Sequence, residues 1–407
     1  MSETLRPRDA EEVRAIVEWA VAEGLPLELA GAGTKRGLGR PVQATRSIEL
    51  TALAGVTLYE PDELVLSARA GTRLAEIEAL LAGKRQALAF EPADLGPLYG
   101  AAPGTGTIGG ALAANLSGPR RIKAGAARDH FLGLSAVNGR GELFKAGGRV
   151  VKNVTGYDLC KLLAGSFGTL AALTDVTVKV LPAPEETRTV LVFGLADAAA
   201  IKALVAALGS VHEVSAAAHL PQVLAAGSAV PSVTAAAAAV TAVRVEGFPA
   251  SVAHRARALA ALLAPLGAVG ELGREDSLAF WREIRDVRPF AAEPGLCVWR
   301  VSVPPASGPA LAARVAAALE TRAYYDWGGG LVWLGVAPGG DAGAAVVRAA
   351  LAESGGNATL MRAPDPVRAA VAVFEPPAEG LARLSQRVKE SFDPRGILNP
   401  GRLYAGI

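Results

Sequence analysis

Cysteine and histidine are scarce in this 407-residue chain, which has two cysteines, Cys160 and Cys297, and four histidines, His130, His212, His219 and His254. The cysteines lie far apart and match no metal or redox spacing. An iron–sulfur cluster takes about four thiolates. No two histidines stand four residues apart, the spacing of a helical metal site. The expectation is that this chain builds no metal centre by itself. An excess of either sign of charge is missing too. A net charge of +2 makes no electrostatic case for nucleic acid. Long apolar runs are also missing. The mean hydropathy of +0.30 comes largely from alanine, and the richest stretch, Val233–Val243, falls short of the roughly 20 apolar residues a membrane span needs. The N-terminus reads Met-Ser-Glu-Thr and reaches Arg6, Arg8 and Asp9 with no apolar segment. No signal peptide is expected there, and the reading is of a cytoplasmic protein.

Glycine is plentiful at 46 residues, in a chain that is 51% hydrophobic and 20% charged. That composition fits a soluble globular protein, and the length suits two domains. Val13, Ile16, Val17 and Ala20 recur at helical spacing within Asp9–Glu23, and Gly24 stops the helix. Leu27–Ala30 then reads as a strand running into the loop Gly31–Gly39. Further strands are expected at Ser47–Leu50 and Leu64–Ala68, and a helix at Leu74–Leu81. Within the glycine-dense stretch 92–118, Gly104–Gly110 gives way to a small-residue helix at Ala111–Leu116. Strands at Phe131–Asn138 and Leu143–Lys145 flank the hairpin signal Gly139-Arg-Gly141, and Leu170–Leu181 alternates as another strand. Beyond Pro184 the chain turns Ala/Val-rich. Strand-like stretches at Arg188–Phe193, Val298–Val303 and Leu331–Val336 alternate there with helix-like ones at Ala198–Leu208, Ala250–Leu263 and Ala310–Glu320. The last thirty or so residues return to loop chemistry. The order of elements says α+β or α/β.

Two glycine loops carry the chemistry. Gly31-x-Gly33 follows a strand directly, where backbone amides can converge on an anion. The G-x-G-x-x-G dinucleotide fingerprint fails, because its third glycine falls on Arg36. The loop holds a hydroxyl and two cations, Thr34, Lys35 and Arg36, which suit a diphosphate. Taken alone, a solvated surface turn is an equal reading. Gly104-x-Gly106-x-x-Gly109 does match the dinucleotide spacing, but Pro103 stands where a strand is needed. Tight helix packing is the alternative reading of Gly109-Gly110. In Lys152-Asn-Val-Thr-Gly-Tyr-Asp158, Asp158 is placed as a helix cap and Tyr157-Asp158 as a buried hydrogen-bonded pair. Lys152 is a candidate for placing positive charge near a cofactor or substrate.

These motifs together resemble a known family. The loop Gly31–Gly39, the run Thr107–Arg121, Gly125-x-x-Arg-Asp129, the stretch Gly148–Leu163 with Gly165-Ser-Phe-Gly-Thr-Leu170, and Asp393-Pro-x-Gly-Ile-Leu-Asn-Pro-Gly401 occur in the order of the PCMH-type, or vanillyl-alcohol-oxidase, FAD-binding family. Within it, the set resembles the FAD-binding subunits of bacterial glycolate oxidases. The resemblance covers roughly residues 8–184 and 380–407. It implies an α+β fold in which a PCMH-type FAD-binding domain of two α+β subdomains (residues 1–184) is interrupted by an α+β cap (185–375) and completed by 376–407.

The resemblance also implies site residues. Gly31, Ala32, Gly33, Thr34, Lys35, Arg36 and Gly37 are expected at the FAD diphosphate. Thr107, Ile108, Gly109, Gly110, Asn115, Ser117 and Gly118 are expected along the diphosphate, ribityl and ring channel. Asp129, Gly165 and Gly168 are expected at or behind the adenosine end, and Asn399 on the isoalloxazine side. Relatives that bind FAD covalently through histidine carry it in or beside these loops. None is present in Gly31–Gly39 or in 92–110, so non-covalent FAD is expected. His130 is expected to be a packed or solvent-facing residue at the start of a strand.

The histidine-rich substrate site of relatives that act on 2-hydroxy acids is missing. The helical spacing of Trp281, Arg285 and Arg288 offers one carboxylate site, with an ordinary amphipathic helix as the simpler alternative. No catalytic residue is assigned. The implied activity is oxidation of glycolate or a related 2-hydroxy acid. The implied partners are a second FAD-linked subunit and an iron–sulfur subunit, through which any peripheral attachment to the inner membrane would be made. The alternatives are a self-sufficient FAD-linked oxidoreductase on another small substrate and a non-catalytic FAD-binding assembly subunit.

Overall fold

A computed structural model describes residues 3–151 and 156–407. Lys152, singled out above, lies outside the described residues. The chain divides into two compact units. The first comprises residues 1–117, 126–183 and 372–407, and the second 118–125 and 184–371. The segment 118–125, expected in the first domain, packs with the second unit instead.

The first unit holds two principal sheets. A three-stranded parallel sheet runs in the order β1 (Glu3–Leu5), β3 (Arg46–Glu49), β2 (Leu27–Ala30). Helix α1 (Ala10–Glu23) precedes β2 and has Asp9 as its N-cap, accepting from the Glu12 amide. Gly24 ends it in the left-handed conformation that glycine adopts without strain. Val13, Val17 and Ala20 form its buried stripe and share one core with Leu27, Ile48, Ile397 and Leu398. The second sheet is antiparallel, in the order β4 (Val56–Glu60), β5 (Val65–Arg69), β9 (Ala171–Lys179), β7 (Phe131–Asn138), β8 (Leu143–Gly147). Helix α2 (Leu74–Ala82) and the short helix α3 (Ile108–Ala113) bury Leu74, Ile77, Ile108 and Leu112 in its core. Strand β4 was not expected. It is a sheet-edge strand with exposed or half-buried side chains, so it lacks the alternation that marks a half-buried strand.

The second unit is built on an eight-stranded sheet. Its strands are β11 (Glu186–Phe193), β12 (Ala216–Leu220), β13 (Val240–Gly247), β14 (Val269–Leu272), β15 (Cys297–Ser302), β16 (Thr321–Asp326), β17 (Leu331–Val336) and β18 (Asn357–Arg362). They lie in the order β14-β11-β13-β12-β16-β17-β15-β18, and each neighbouring pair is antiparallel. Helices Asp197–Leu208, Pro249–Leu263, Gly308–Ala318 and Ala344–Ser354 bury apolar stripes that include Leu204, Leu259, Leu311 and Leu351. Among the described residues no helix is long and apolar enough to cross a membrane.

The C-terminal stretch, expected as loop, begins with a helix at Glu379–Phe392. It delivers Lys389 into the interior. The Lys389 ammonium donates to Asp393 Oδ2 at 2.7 Å and to the carbonyls of Thr169 and Leu398 at 2.7 and 2.9 Å. Asp393 in turn accepts from the Ile397 and Leu398 amides at 3.1 and 2.8 Å. The two side chains are 3% and 0% exposed. Desolvation draws the Lys389 pKa below its ordinary value, and Asp393 opposes that shift. This knot fixes residues 393–399 against β2, where Leu27 makes a parallel bridge to Leu398. Removing one partner leaves a buried charge uncompensated. Asp393→Ala is therefore expected to destabilise the protein by about 3–5 kcal/mol, read as a drop in the midpoint of urea unfolding.

Candidate functional site

A groove opens where β2 ends. The loop Gly31–Arg36, together with Thr107, Gly110, Ala113, Phe167 and Arg402, surrounds about 520 Å³ of empty space. An adjoining space of about 450 Å³ shares Leu29–Gly31, Thr107, Gly110, Ala113 and Phe167 and continues past Gly168 to Ala172 and Leu173. The shared walls make one elongated groove. Its first end carries Thr34, Lys35 and Arg36, and its second is lined mainly by apolar and small residues.

The glycines here are required by close approach. A β-carbon on Gly31 would stand 2.3 Å from Thr107 Oγ1, and one on Gly109 would stand 2.7 Å from the Ala70 β-carbon. Thr107 is buried and caps α3, its hydroxyl accepting from the Gly110 amide at 3.3 Å. The turn after β5 holds the same segment. The Ile108 and Gly109 amides donate to the Thr72 and Ala70 carbonyls at 3.0 and 2.9 Å. Asp94 braces the loop ahead of them, accepting from the Gly104 amide at 2.7 Å.

Lys35 provides the charge. It is half-buried, and its ammonium donates to Thr34 Oγ1 at 3.3 Å. Desolvation lowers its pKa to about 8, and the charge of Asp94 only partly opposes the shift. Arg36 is turned aside by Glu28, to which its Nε donates at 3.1 Å. Arg402 reaches across from the C-terminal segment and donates to the Lys35 carbonyl at 2.8 Å.

The expected site residues divide into two groups. Gly31, Ala32, Gly33, Thr34, Lys35, Arg36, Thr107, Gly109, Gly110 and Gly168 all line the groove. The others stand behind it or away from it. Gly37 packs under Tyr99, whose ring a β-carbon would meet at 2.5 Å. The Ile108 side chain lies wholly in the core. Asn115 and Ser117 are engaged by the Arg128 and Ala127 amides at 3.1 and 2.8 Å, and Asp129 by the Ala126 amide at 2.9 Å. Gly165, at φ +85, shapes the turn before Phe167. Asn399 is fully occupied. Its Oδ1 accepts from the Leu29 amide at 2.8 Å and its Nδ2 donates to the Phe167 carbonyl at 2.7 Å. Its place is as a clamp between β2 and the Gly165–Gly168 turn. Gly118 belongs to the second unit.

Expectations away from the groove are met in part. His130 is packed, one of the two placements expected, with its ring 5.5 Å from that of Phe90, and it ends the short helix Ala127–His130 directly before β7. Asp158 does cap the helix Leu159–Leu163, accepting from the Lys161 amide. Tyr157 is 91% exposed, so no buried Tyr157–Asp158 pair exists. Arg285 and Arg288 do not share a helix face. The helix Arg274–Arg285 ends between them, with Val287 in the left-handed conformation. Arg285 is moreover engaged by Asp286 through two hydrogen bonds of 2.7 and 3.0 Å. Sequence reasoning missed Phe167, Arg402, Ala113 and Ala114 as groove walls. The signal for Phe167 was its place between two glycines, and for Arg402 its place directly after Asn-Pro-Gly.

An elongated groove with a hydroxyl and a cation at one end, small residues along it and no space for β-carbons at its narrowest points fits an extended dinucleotide such as FAD. Comparison with known proteins agrees. Residues 2–147 match the FAD binding domain family and residues 377–403 the family of FAD linked oxidases, C-terminal domain. The solved structure of p-cresol methylhydroxylase superposes with a TM-score of 0.74 at 15% identity, covering 98% of this chain and 88% of that one. A D-lactate dehydrogenase of Archaeoglobus fulgidus is 35% identical over 44% of this chain and 38% of its own length. The glycolate oxidase subunit GlcE of Escherichia coli is 32% identical over 98% of this chain and 99% of its own length. The α+β architecture is thus the PCMH/vanillyl-alcohol-oxidase FAD-binding fold, and the chain belongs to the FAD-linked oxidoreductase family that includes the glycolate oxidase subunit GlcE.

Proposed function

We propose that the chain is the FAD-binding subunit of a complex that oxidises glycolate or a related 2-hydroxy acid to the 2-oxo acid. The electrons pass to a partner, a second FAD-linked subunit or an iron–sulfur subunit, or to a membrane acceptor. The observation that carries the reading is the groove itself, in which a desolvated cation, Lys35, stands at one end of an elongated space lined by small residues, an arrangement that suits an extended anion. The loop Gly31–Gly33 and the Thr34 hydroxyl would hold the diphosphate, with Lys35 neutralising part of its charge. FAD, once bound, supplies the two-electron acceptor. The chain's own part is to position it, to exclude water with small side chains, and to tune it through nearby charge.

Non-covalent attachment is part of the proposal. No histidine, cysteine or tyrosine is among the described residues lining the groove, and His130 is packed in the core. Purified protein is expected to show a flavin absorption band, and acid precipitation is expected to leave that flavin in the supernatant. Flavin retained in the pellet would overturn the non-covalent reading. Protein that is colourless and unable to take up added FAD would overturn the function itself.

Lys35 also sets a pH dependence. Its pKa in the free protein is about 8, and a bound diphosphate raises it. Below pH 8 the lysine is already charged and affinity is flat. Above pH 8 binding must take up a proton, so FAD affinity falls, by at most roughly tenfold per pH unit. Equilibrium titration of the apoprotein between pH 6.5 and 9.5 reads this directly.

A further inference from the structure

The second unit carries a charged cluster that the flavin groove does not use. Trp327 follows β16 at φ +53, with Gly328 and Gly329 at +66 and +100. Left-handed backbone is costly for a bulky aromatic residue and persists only where its surroundings enforce it. The enforcement is visible. The Trp327 amide donates to Asp326 Oδ1 at 2.7 Å, and its indole Nε1 donates to the Gly118 carbonyl at 3.1 Å. The ring is buried and fixed.

Two guanidinium groups lie against that ring. Arg121 Cζ is 4.5 Å from its centroid and Arg300 Cζ is 5.0 Å. Cation–π attraction accounts for their placement but leaves their N–H donors unused. Among the described residues, neither guanidinium donates a hydrogen bond to a protein acceptor. Their neighbours differ in this respect. Arg120 pairs with Glu246 at 2.6 Å, and Arg255 donates to the Glu246 carbonyl at 2.7 Å. Arg300 is half-buried. Desolvation draws its pKa down to about 10, the charge of Arg121 pushes it the same way, and only Asp326 opposes them. Two like charges have been brought together with their donors open.

We propose that Arg300 and Arg121, flanking Trp327, form a binding site for the carboxylate of a small organic acid. A planar guanidinium presents paired N–H donors at the spacing of carboxylate oxygens. An anion there relieves the repulsion between the arginines and takes up the open donors. Asp326 offsets part of the positive charge at Arg300, which suits a monoanion better than a phosphate dianion. The site lies wholly within the second unit, and its existence does not rest on the flavin reading.

The test is calorimetric titration of the purified full-length chain with glycolate, acetate and inorganic phosphate at constant ionic strength. Glycolate and acetate are expected to bind saturably and phosphate more weakly. Arg300→Met and Arg121→Met are each expected to weaken carboxylate binding by roughly tenfold or more, with partial recovery in Arg300→Lys. Removing Arg300 relieves repulsion, so melting temperature and flavin content are expected to hold, which separates lost binding from lost folding. Unchanged carboxylate affinity in Arg300→Met would overturn the proposal. So would the absence of saturable carboxylate binding by the unaltered protein, or phosphate binding without carboxylate binding.

Discussion

The groove exists because two loops distant in sequence meet with no room between them for a β-carbon. At Gly31 the opposing atom is Thr107 Oγ1, 2.3 Å from where that carbon would stand. Any larger residue there forces the loop after β2 away from α3 and breaks the wall they share. The same contact aligns the strand end, the threonine cap and the Gly109 approach to Ala70, so one steric constraint places several elements together. The C-terminal segment secures the arrangement from behind. Asn399 bridges the backbones of Leu29 and Phe167, and the buried Lys389–Asp393 pair keeps that segment in place.

Such a groove is costly to keep without its ligand. Thr34, Lys35 and Arg402 crowd polar and charged groups into one end, and burial lowers the Lys35 pKa with only Asp94 partly opposing it. Sites that bind anions characteristically carry this kind of uncompensated charge. The contrast with Lys389 is informative. That lysine is more deeply enclosed but is met by a carboxylate and two carbonyls, so it contributes to the fold. Among the described residues the Lys35 ammonium donates to one hydroxyl and feels Asp94 only as a partial counter-charge, so its charge remains available for a ligand.

Much of this was legible in the sequence. Helical spacing with Asp9 and Gly24 at the ends located α1, and the strand that runs into Gly31 located the groove. Three things were hidden, each for a physical reason. The C-terminal helix has an inverted pattern, with Leu381 and Leu384 exposed and Lys389 buried, so apolar periodicity misleads. Arg402 reaches the groove through contacts hundreds of residues away in sequence. Asn115, Ser117 and Asn399 lie in motifs that the resemblance assigns to the site, but their side-chain oxygens accept from backbone amides. Motif membership does not distinguish a wall from the brace behind it.

The proposed function depends most directly on one claim, that Lys35 holds the FAD diphosphate. The most direct test compares FAD with riboflavin, which shares the ring but lacks the diphosphate. Dissociation constants for both are measured by flavin fluorescence with the unaltered apoprotein and with Lys35→Met. The account predicts that the substitution weakens FAD by roughly tenfold or more and leaves riboflavin almost unchanged. Equal losses for the two ligands, or no loss for FAD, would contradict it.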